Sequence, residues 1–366
     1  MEQQRRRSGS HSRSRRRSRR IVAGTAAAAA AAVVLTACGS SGSSADGGAG
    51  GGSAGSGAGD RAVAQGSKGF GTAGQLSAAF GTTAKAGQFP RTIKQAMGST
   101  VIESRPERVV VLDVGELDNV VSLGVKPVGV AYTDGSQKMP SYLKAKAGTP
   151  KSVGTIDNLN LEAIAGLHPD LILGSKLRAG GQYKTLSQIA PTVFSVRPGY
   201  TWKQNFLLNA AALDRTAQAE SELSAYQRKA QQVGAAVKRH NGGRMPTISM
   251  LRFMPDRIRL YANKSFIGTI LQDTGLPRPK NQDVDELAVE TSPENIDQAD
   301  ADWIFTGVYG PADQTKQSQT RNSPLWRNLS AVKAGHAVDV PDETWYLGLG
   351  VTAADSVLDD LQKHLG

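Results

Sequence analysis

Between Asp214 and His240 the chain runs 27 residues with no proline and one glycine, Gly234. Ala219, Leu223, Tyr226, Ala230, Val233 and Val237 recur at intervals of 4, 3, 4, 3 and 4, which places them on one stripe of an α-helix. At 1.5 Å per residue such a helix is about 40 Å long. That is more than a crossover inside one small sheet needs. A helix predicted over 214–240 therefore joins two bodies, and Asn241-Gly242-Gly243 ends it.

The flanking segments resemble each other. Before the helix, short β-branched runs at Arg108–Asp113, Val128–Tyr132, Asp170–Leu173 and Thr192–Val196 alternate with helical stretches at Glu116–Leu123, Leu161–Leu167 and Tyr183–Ile189. After it, runs at Thr247–Leu251, Ile258–Tyr261, Trp303–Phe305 and Ala337–Val340 alternate with Phe266–Leu271, Pro293–Ala299 and Ala353–His364. Such alternation predicts an α/β fold of two lobes with mainly parallel sheets. A short pattern also repeats. Glu162-x-Ile164 followed by Asp170-x-Ile172 matches Glu294-x-Ile296 followed by Asp302-x-Ile304. Both copies lie where a short helix leads into a strand.

The net charge of +11 is uneven, because nine Arg and one Glu among residues 1–37 supply +8 of it. A body near neutrality has no general nucleic-acid footprint. The basic run is followed by Ile21–Ala37, apolar but too short and Ala-rich for a spanning helix. A basic start, a short apolar stretch and small residues read as a secretory signal. Residues 39–59 hold ten Gly, six Ser, four Ala and one Asp, a composition that buries nothing and reads as a tether. The expected organisation is a signal at 1–37, a tether at 38–88, an N-terminal lobe at 89–213, the interlobe helix at 214–240 and a C-terminal lobe at 241–366. Cys38, the single cysteine, excludes a disulfide framework or a Cys-ligated metal. The five His show no ligand spacing, and Asp283-Val284-Asp285-Glu286 lacks the spacing and Gly of a calcium loop. A G-x-S-x-G match at Gly51–Gly55 sits in low complexity, without the strand and helix a nucleophile elbow needs. No other nucleophile–base pair or phosphate-binding loop is found, so the chain is not read as an enzyme and no cofactor is expected.

Leu35-Thr36-Ala37-Cys38 resembles the bacterial lipobox, which implies cleavage before Cys38 and lipidation of its sulfur. Ser18-Arg19-Arg20-Ile21-Val22 also resembles a twin-arginine signal. Further stretches are Thr100-Val101-Ile102 through Pro106-Glu107-Arg108-Val109-Val110, then Leu123-Gly124-Val125-Lys126-Pro127-Val128-Gly129, then Leu161-Glu162 through His168-Pro169-Asp170-Leu171-Ile172. Ile189-Ala190-Pro191-Thr192-Val193 and Pro324-Leu325-Trp326 through Ala331-Val332-Lys333-Ala334-Gly335 complete the series. Together and in this order they resemble the substrate-binding lipoproteins of bacterial iron–siderophore and cobalamin ABC importers. The resemblance implies two lobes on a rigid helix, with a ligand cleft between them. It implies a monomer, anchored by lipid to the outer face of the cell membrane, that delivers its ligand to an ABC permease. Glu162 and Glu294 match the positions where each lobe docks on permease arginines. A carboxylate at a helix start is favoured by the dipole and can accept a bidentate Arg.

The ligand implied is a ferric siderophore, with the hydroxamate type favoured and the iron held by the siderophore. Arg forks suit its oxygens and aromatic rings its apolar rim. Candidates are Arg178 after the strand ending at Leu173, Arg252 after Leu251, Tyr261, Trp345 and Tyr346 after Val340-Pro341, Tyr132, and Trp202 in the loop before the long helix. Ferric citrate, haem or cobalamin in the same role are the nearest alternatives. A secreted enzyme and a structural surface lipoprotein are the different-class ones.

Overall fold

A computed structural model describes residues 70–366, so the signal, Cys38 and most of the tether lie outside the described residues. In the first half the elements are α1 (Phe70–Ala78), β1 (Arg91–Gln95), β2 (Gly98–Ile102), β3 (Val109–Val111), α2 (Val114–Ser122), β4 (Gly129–Tyr132), α3 (Lys144–Ala147) and β5 (Lys151–Thr155). They continue through α4 (Leu161–Gly166), β6 (Leu171–Ser175), α5 (Lys176–Ala179), α6 (Tyr183–Ile189), β7 (Thr192–Ser195) and α7 (Trp202–Ala212). The long helix is α8 (Thr216–His240). Beyond it come β8 (Ile248–Phe253), β9 (Ile258–Tyr261), α9 (Phe266–Thr274), β10 (Ala288–Thr291), a kinked 3-10 segment (Pro293–Ala299) and β11 (Trp303–Val308). Short α10 (Gln317–Arg321), α11 (Pro324–Asn328) and α12 (Ser330–Lys333) lead to β12 (Ala337–Asp339), α13 (Asp342–Trp345) and α14 (Val351–Leu365).

Strands β1 and β2 pair as an antiparallel two-stranded sheet, and the other ten form two five-stranded sheets, ordered β5-β4-β3-β6-β7 and β10-β9-β8-β11-β12, one on either side of α8 in sequence. The first is wholly parallel. The second is mixed: β8, β11 and β12 are parallel, whereas β9 runs antiparallel to both its neighbours, β8 and β10. Only Met254–Arg257 separate β8 from β9, and so short a connection makes a hairpin, not a crossover. In both sheets the strand order reverses beside the first central strand, between β3 and β6 and between β8 and β11. Ligands of open α/β sheets bind at the carboxyl ends of the strands at such points.

The repeated sequence pattern has a physical role. Asp170, just before β6, accepts the Arg108 N–H at 2.9 Å, and Asp302, just before β11, accepts the Thr247 N–H at 2.8 Å. Each carboxylate thus pins the residue that precedes the central strand of its own sheet.

One hydrophobic cluster runs through both sheets by way of α7, α8, α9 and α14. The predicted stripe of α8 is its contact face, with Ala219, Tyr226, Ala230, Val233 and Val237 buried. Gly234 lies against the end of α9, where an added Cβ would sit 2.0 Å from the Thr274 carbonyl oxygen. Asp118 of α2 is fully buried, and its two oxygens accept the N–H groups of Thr352 and Ala353, each at 3.0 Å. A residue of the first half therefore caps the last helix of the chain.

Helix α1 lies inside the stretch assigned to the tether. Helix α1 packs on α7 with Ala73 and Ser77 buried, and the Gly87 N–H donates to Asp214 at 3.0 Å. Apolar and small residues spaced four apart bury a face there despite the weak composition.

Candidate functional site

Three arginines from both sheets converge on one cleft of about 520 Å³, walled also by Tyr261, Phe266, Tyr346, Leu347 and Leu349. Arg178 comes from the first half, Arg252 and Arg259 from the second. Arg178 is presented by α5, a single turn whose N-cap Ser175 accepts the Arg178 N–H. It stands beside Asp113, the N-cap of α2, and its Nε lies 3.3 Å from Asp113 Oδ2. Asp113 follows β3 and Arg178 follows β6, so the pair marks the reversal point of the first sheet.

Arg252 and Arg259 face each other directly across the β8–β9 ladder. Like charges in that position repel, and both side chains are buried. Each has a carboxylate behind it. Arg252 donates from Nε to Asp342 Oδ1 at 2.6 Å and from Nη2 to Asp342 Oδ2. Arg259 Nε is 3.5 Å from Glu290 Oε1, and Glu290 is half exposed, so that pair is long and screened. The Tyr309 ring lies 4.5 Å from the Arg252 guanidinium. Its hydroxyl accepts the Gly135 N–H of the first half at 3.2 Å. A smaller chamber of about 300 Å³ opens beyond, where Arg178, Leu347 and Tyr309 meet Asp134 and Asp157.

Burial sets the electrostatics nearby. Glu116, in the first turn of α2, is pushed up to about 8 by burial and by the negative charge of Asp113, with its own backbone hydrogen bond and Arg178 opposing. Its carboxyl is thus largely neutral at pH 7, which spares Asp113 a second negative neighbour. Arg197, after β7, is pulled down to about 10 by burial, and the charge of Arg178 adds to the effect while Tyr200 opposes it.

Five of the seven ligand candidates from the sequence line the cleft: Arg178, Arg252, Tyr261, Tyr346 and, with its ring fully buried, Trp345. The Tyr261 and Tyr346 rings pack 4.9 Å apart, tilted by 54°, and the Tyr346 hydroxyl donates to the carbonyls of Leu251 and Phe305. Trp202 and Tyr132 are corrected, and Trp345 in part. Trp202 is fully buried; it opens helix α7, where a loop was expected, and its Nε1 donates to Thr269 at 2.8 Å between Tyr226 and Phe266. Trp345 borders the cleft, yet its ring is fully buried on Phe305 at 4.7 Å and its Nε1 donates to Asp360 at 2.8 Å. Both indoles are core. Tyr132 is half-buried against the main cluster and is not among the residues that wall the cleft. Glu162 and Glu294 are both exposed, each at the start of a short helical segment. The Glu294 carboxyl is held below the usual range by a hydrogen bond from Ser292.

Sequence reasoning missed Arg259 and Tyr309. Arg259 had a usable signal, a charge inside the otherwise apolar run Ile258–Tyr261, which is costly unless it is paired or used. Volume alone would have misled. A hollow of about 680 Å³ at the start of α8 is lined by Arg91 and Asp214, which are ion-paired to each other. Among the described residues no group of three or more His, Cys, Asp or Glu side chains could hold a metal, and no helix is long and apolar enough to cross a membrane.

Residues 109–344 match the family model described as periplasmic binding protein. The chain is 35% identical over 288 residues to the probable siderophore-binding lipoprotein YfiY of Bacillus subtilis, which covers 75% of this chain and 87% of that protein. It is 29% identical over 278 residues to the Fe(3+)-citrate-binding protein YfmC of the same organism, with 75% and 86% covered. The crystal structure of Staphylococcus aureus SirA complexed with staphyloferrin B superposes with a TM-score of 0.69 at 34% identity, over 75% of this chain and 98% of that one. Two α/β sheets about a long helix, a basic cleft at their reversal points and these matches agree: the chain belongs to the periplasmic binding protein family.

Proposed function

We propose that this protein is the substrate-binding component of an ABC importer for iron, and that its cleft takes an anionic ferric chelate. The carrying observation is the convergence of Arg178, Arg252 and Arg259 on one aromatic-walled cleft. Guanidinium forks match carboxylate oxygens in pairs. A ferric ion with three hydroxamates is charge-balanced and offers such a cleft little. A ferric chelate with carboxylate oxygens to spare offers it more, so citrate-type ligands fit better than the hydroxamate class favoured on sequence grounds. The relatives named for siderophore and ferric citrate binding support the iron role. The iron arrives inside its chelator on this reading, since among the described residues no group of three or more His, Cys, Asp or Glu could hold it bare. Binding and hand-over, with no turnover, is the whole of the activity on this reading.

Cys38 would carry the lipid that holds the protein at the outer face of the membrane, and the Gly/Ser-rich segment would give it reach. Glu162 and Glu294 would engage the permease, one from each half. The test is a titration of the purified protein with ferric citrate, ferrioxamine, ferrichrome, a ferric catecholate, haem and cobalamin, followed by calorimetry. Saturable binding of ferric citrate, lost in Arg259→Gln, is the expected result. Tight binding of ferrioxamine or ferrichrome that survives Arg259→Gln would overturn the anionic reading.

A further inference from the structure

We infer that Asp342 is a positioning residue for this cleft: it fixes Arg252 edge-on, and Arg252 thereby orients the Tyr261 hydroxyl toward the ligand. The inference rests on the reading of the cleft as an anionic ferric-chelate site.

Asp342 opens α13, three residues beyond the end of β12 and at the carboxyl end of the second sheet. Its two oxygens take the Nε and Nη2 edge of Arg252. The remaining nitrogen, Nη1, donates to the Tyr261 hydroxyl oxygen at 3.3 Å. Because that oxygen accepts from Arg252, its own proton must point elsewhere. Among the described residues no acceptor receives that proton, and Tyr261 walls the cleft. The geometry is a relay from carboxylate to guanidinium to phenol, with a donor at its end.

Two further observations support a positioning role. Arg252 and Arg259 are direct cross-strand partners, so repulsion would turn Arg252 away unless something held it. The same device recurs at Arg178, which meets Asp113 through Nε. In each case the carboxylate takes the inner edge of the guanidinium. A fork held in that way loses less freedom when a ligand arrives.

The sign of the effect separates positioning from bulk charge. Asp342→Asn removes a negative charge from the neighbourhood of an anionic ligand. If charge alone mattered, the variant would bind more tightly. A positioning role predicts the reverse.

Ferric citrate is the probe. Its dissociation constant is measured by calorimetry for the unmodified protein, Asp342→Asn, Tyr261→Phe and the double variant, each checked for folding by its melting temperature. Loss of one hydrogen bond to a charged group weakens binding about tenfold, and that is expected for each single variant. The double variant should lose no more than about tenfold in all, because both changes break one relay. Arg252→Lys, which keeps the charge and loses the fork, should match Tyr261→Phe and be equally non-additive with it; this arm stands if Asp342→Asn fails to fold. Tighter or unchanged binding by Asp342→Asn, or single losses that multiply to about 100-fold, would overturn the relay alone. Failure of the unmodified protein to bind any ferric chelate would remove the cleft reading and the relay with it.

Discussion

Gly234→Ala should destabilise the protein, and the sign is the informative part. Glycine inside an exposed helix costs about 1 kcal/mol relative to alanine, so the same change on a solvated face of α8 would be stabilising. At Gly234 the added Cβ would lie 2.0 Å from the Thr274 carbonyl oxygen and 3.0 Å from its carbonyl carbon. Both atoms are backbone, so no side-chain rotation relieves the clash. The end of α9 must move away from α8 by more than 1 Å to restore ordinary contact, which loosens the packing of Val233, Val237 and Leu271 at that crossing. Overpacking of this kind costs about 1–3 kcal/mol, and the upper end applies because backbone meets backbone. After the helix-propensity gain, about 2 kcal/mol is lost, which lowers the melting temperature of a body this size by roughly 3–6 °C. Circular dichroism at 222 nm on the two proteins reads it directly. A melting temperature equal to or above that of the unmodified protein would show that the two helices are not in backbone contact.

Other expectations follow from the same geometry. Trp345→Ala should cost about 3–5 kcal/mol as a core cavity; unchanged thermal stability with lost ligand binding would instead return Trp345 to the cleft. Asp118 is pushed up to about 6 from an ordinary 3.8 by burial, against the N–H groups of Thr352 and Ala353 that pull it down. Its folded form favours the proton, so its contribution is full below pH 4, falls between pH 4 and 6, and is level above that. Urea titrations should therefore show the unmodified protein losing up to about 3 kcal/mol relative to Asp118→Asn across that window; a parallel pair of curves would refute the assignment. Glu162→Lys with Glu294→Lys should leave ligand affinity and melting temperature unchanged, since both residues are exposed, and should abolish iron uptake in cells. Persisting uptake would dissociate these carboxylates from the permease.

Legibility in the sequence followed burial pattern. Helix α8 was readable because only one of its faces is buried, which writes a stripe. Helix α7, Trp202–Ala212, was not: it is enclosed nearly all round, so its apolar residues follow no period, and Trp202 passed for a loop residue. The edge strands β5 and β10 escaped notice because their exposed, polar positions dilute the β-branched signal. The central strands β3 and β6 were plain because they are buried on both faces. At the site, position along a strand was informative and residue type was not. Arg178 was placed by lying just past a strand; Arg252, expected just past one, lies inside β8, which runs on to Phe253. Trp345 and Trp202 were misassigned because an aromatic ring serves a core and a ligand wall equally well. The partner that decides between them, Asp360 for one and Thr269 for the other, is distant in sequence or set by the fold.

The cap that Asp118 supplies to α14 has a consequence for how the chain assembles. Helix α14 is the last stretch of sequence, yet its first N–H groups and its apolar face, from Val351 to Leu365, complete a core that already contains Val120 and Trp202. The first half therefore stays open on one side until the final fifteen residues are in place. The described residues, 70–366, fall within one compact unit by contact, and unfolding should show one cooperative transition, not two. Severing the chain between α8 and β8 would not release a pair of native halves. A deletion at the carboxyl terminus would be felt first at Asp118, more than 200 residues away in sequence.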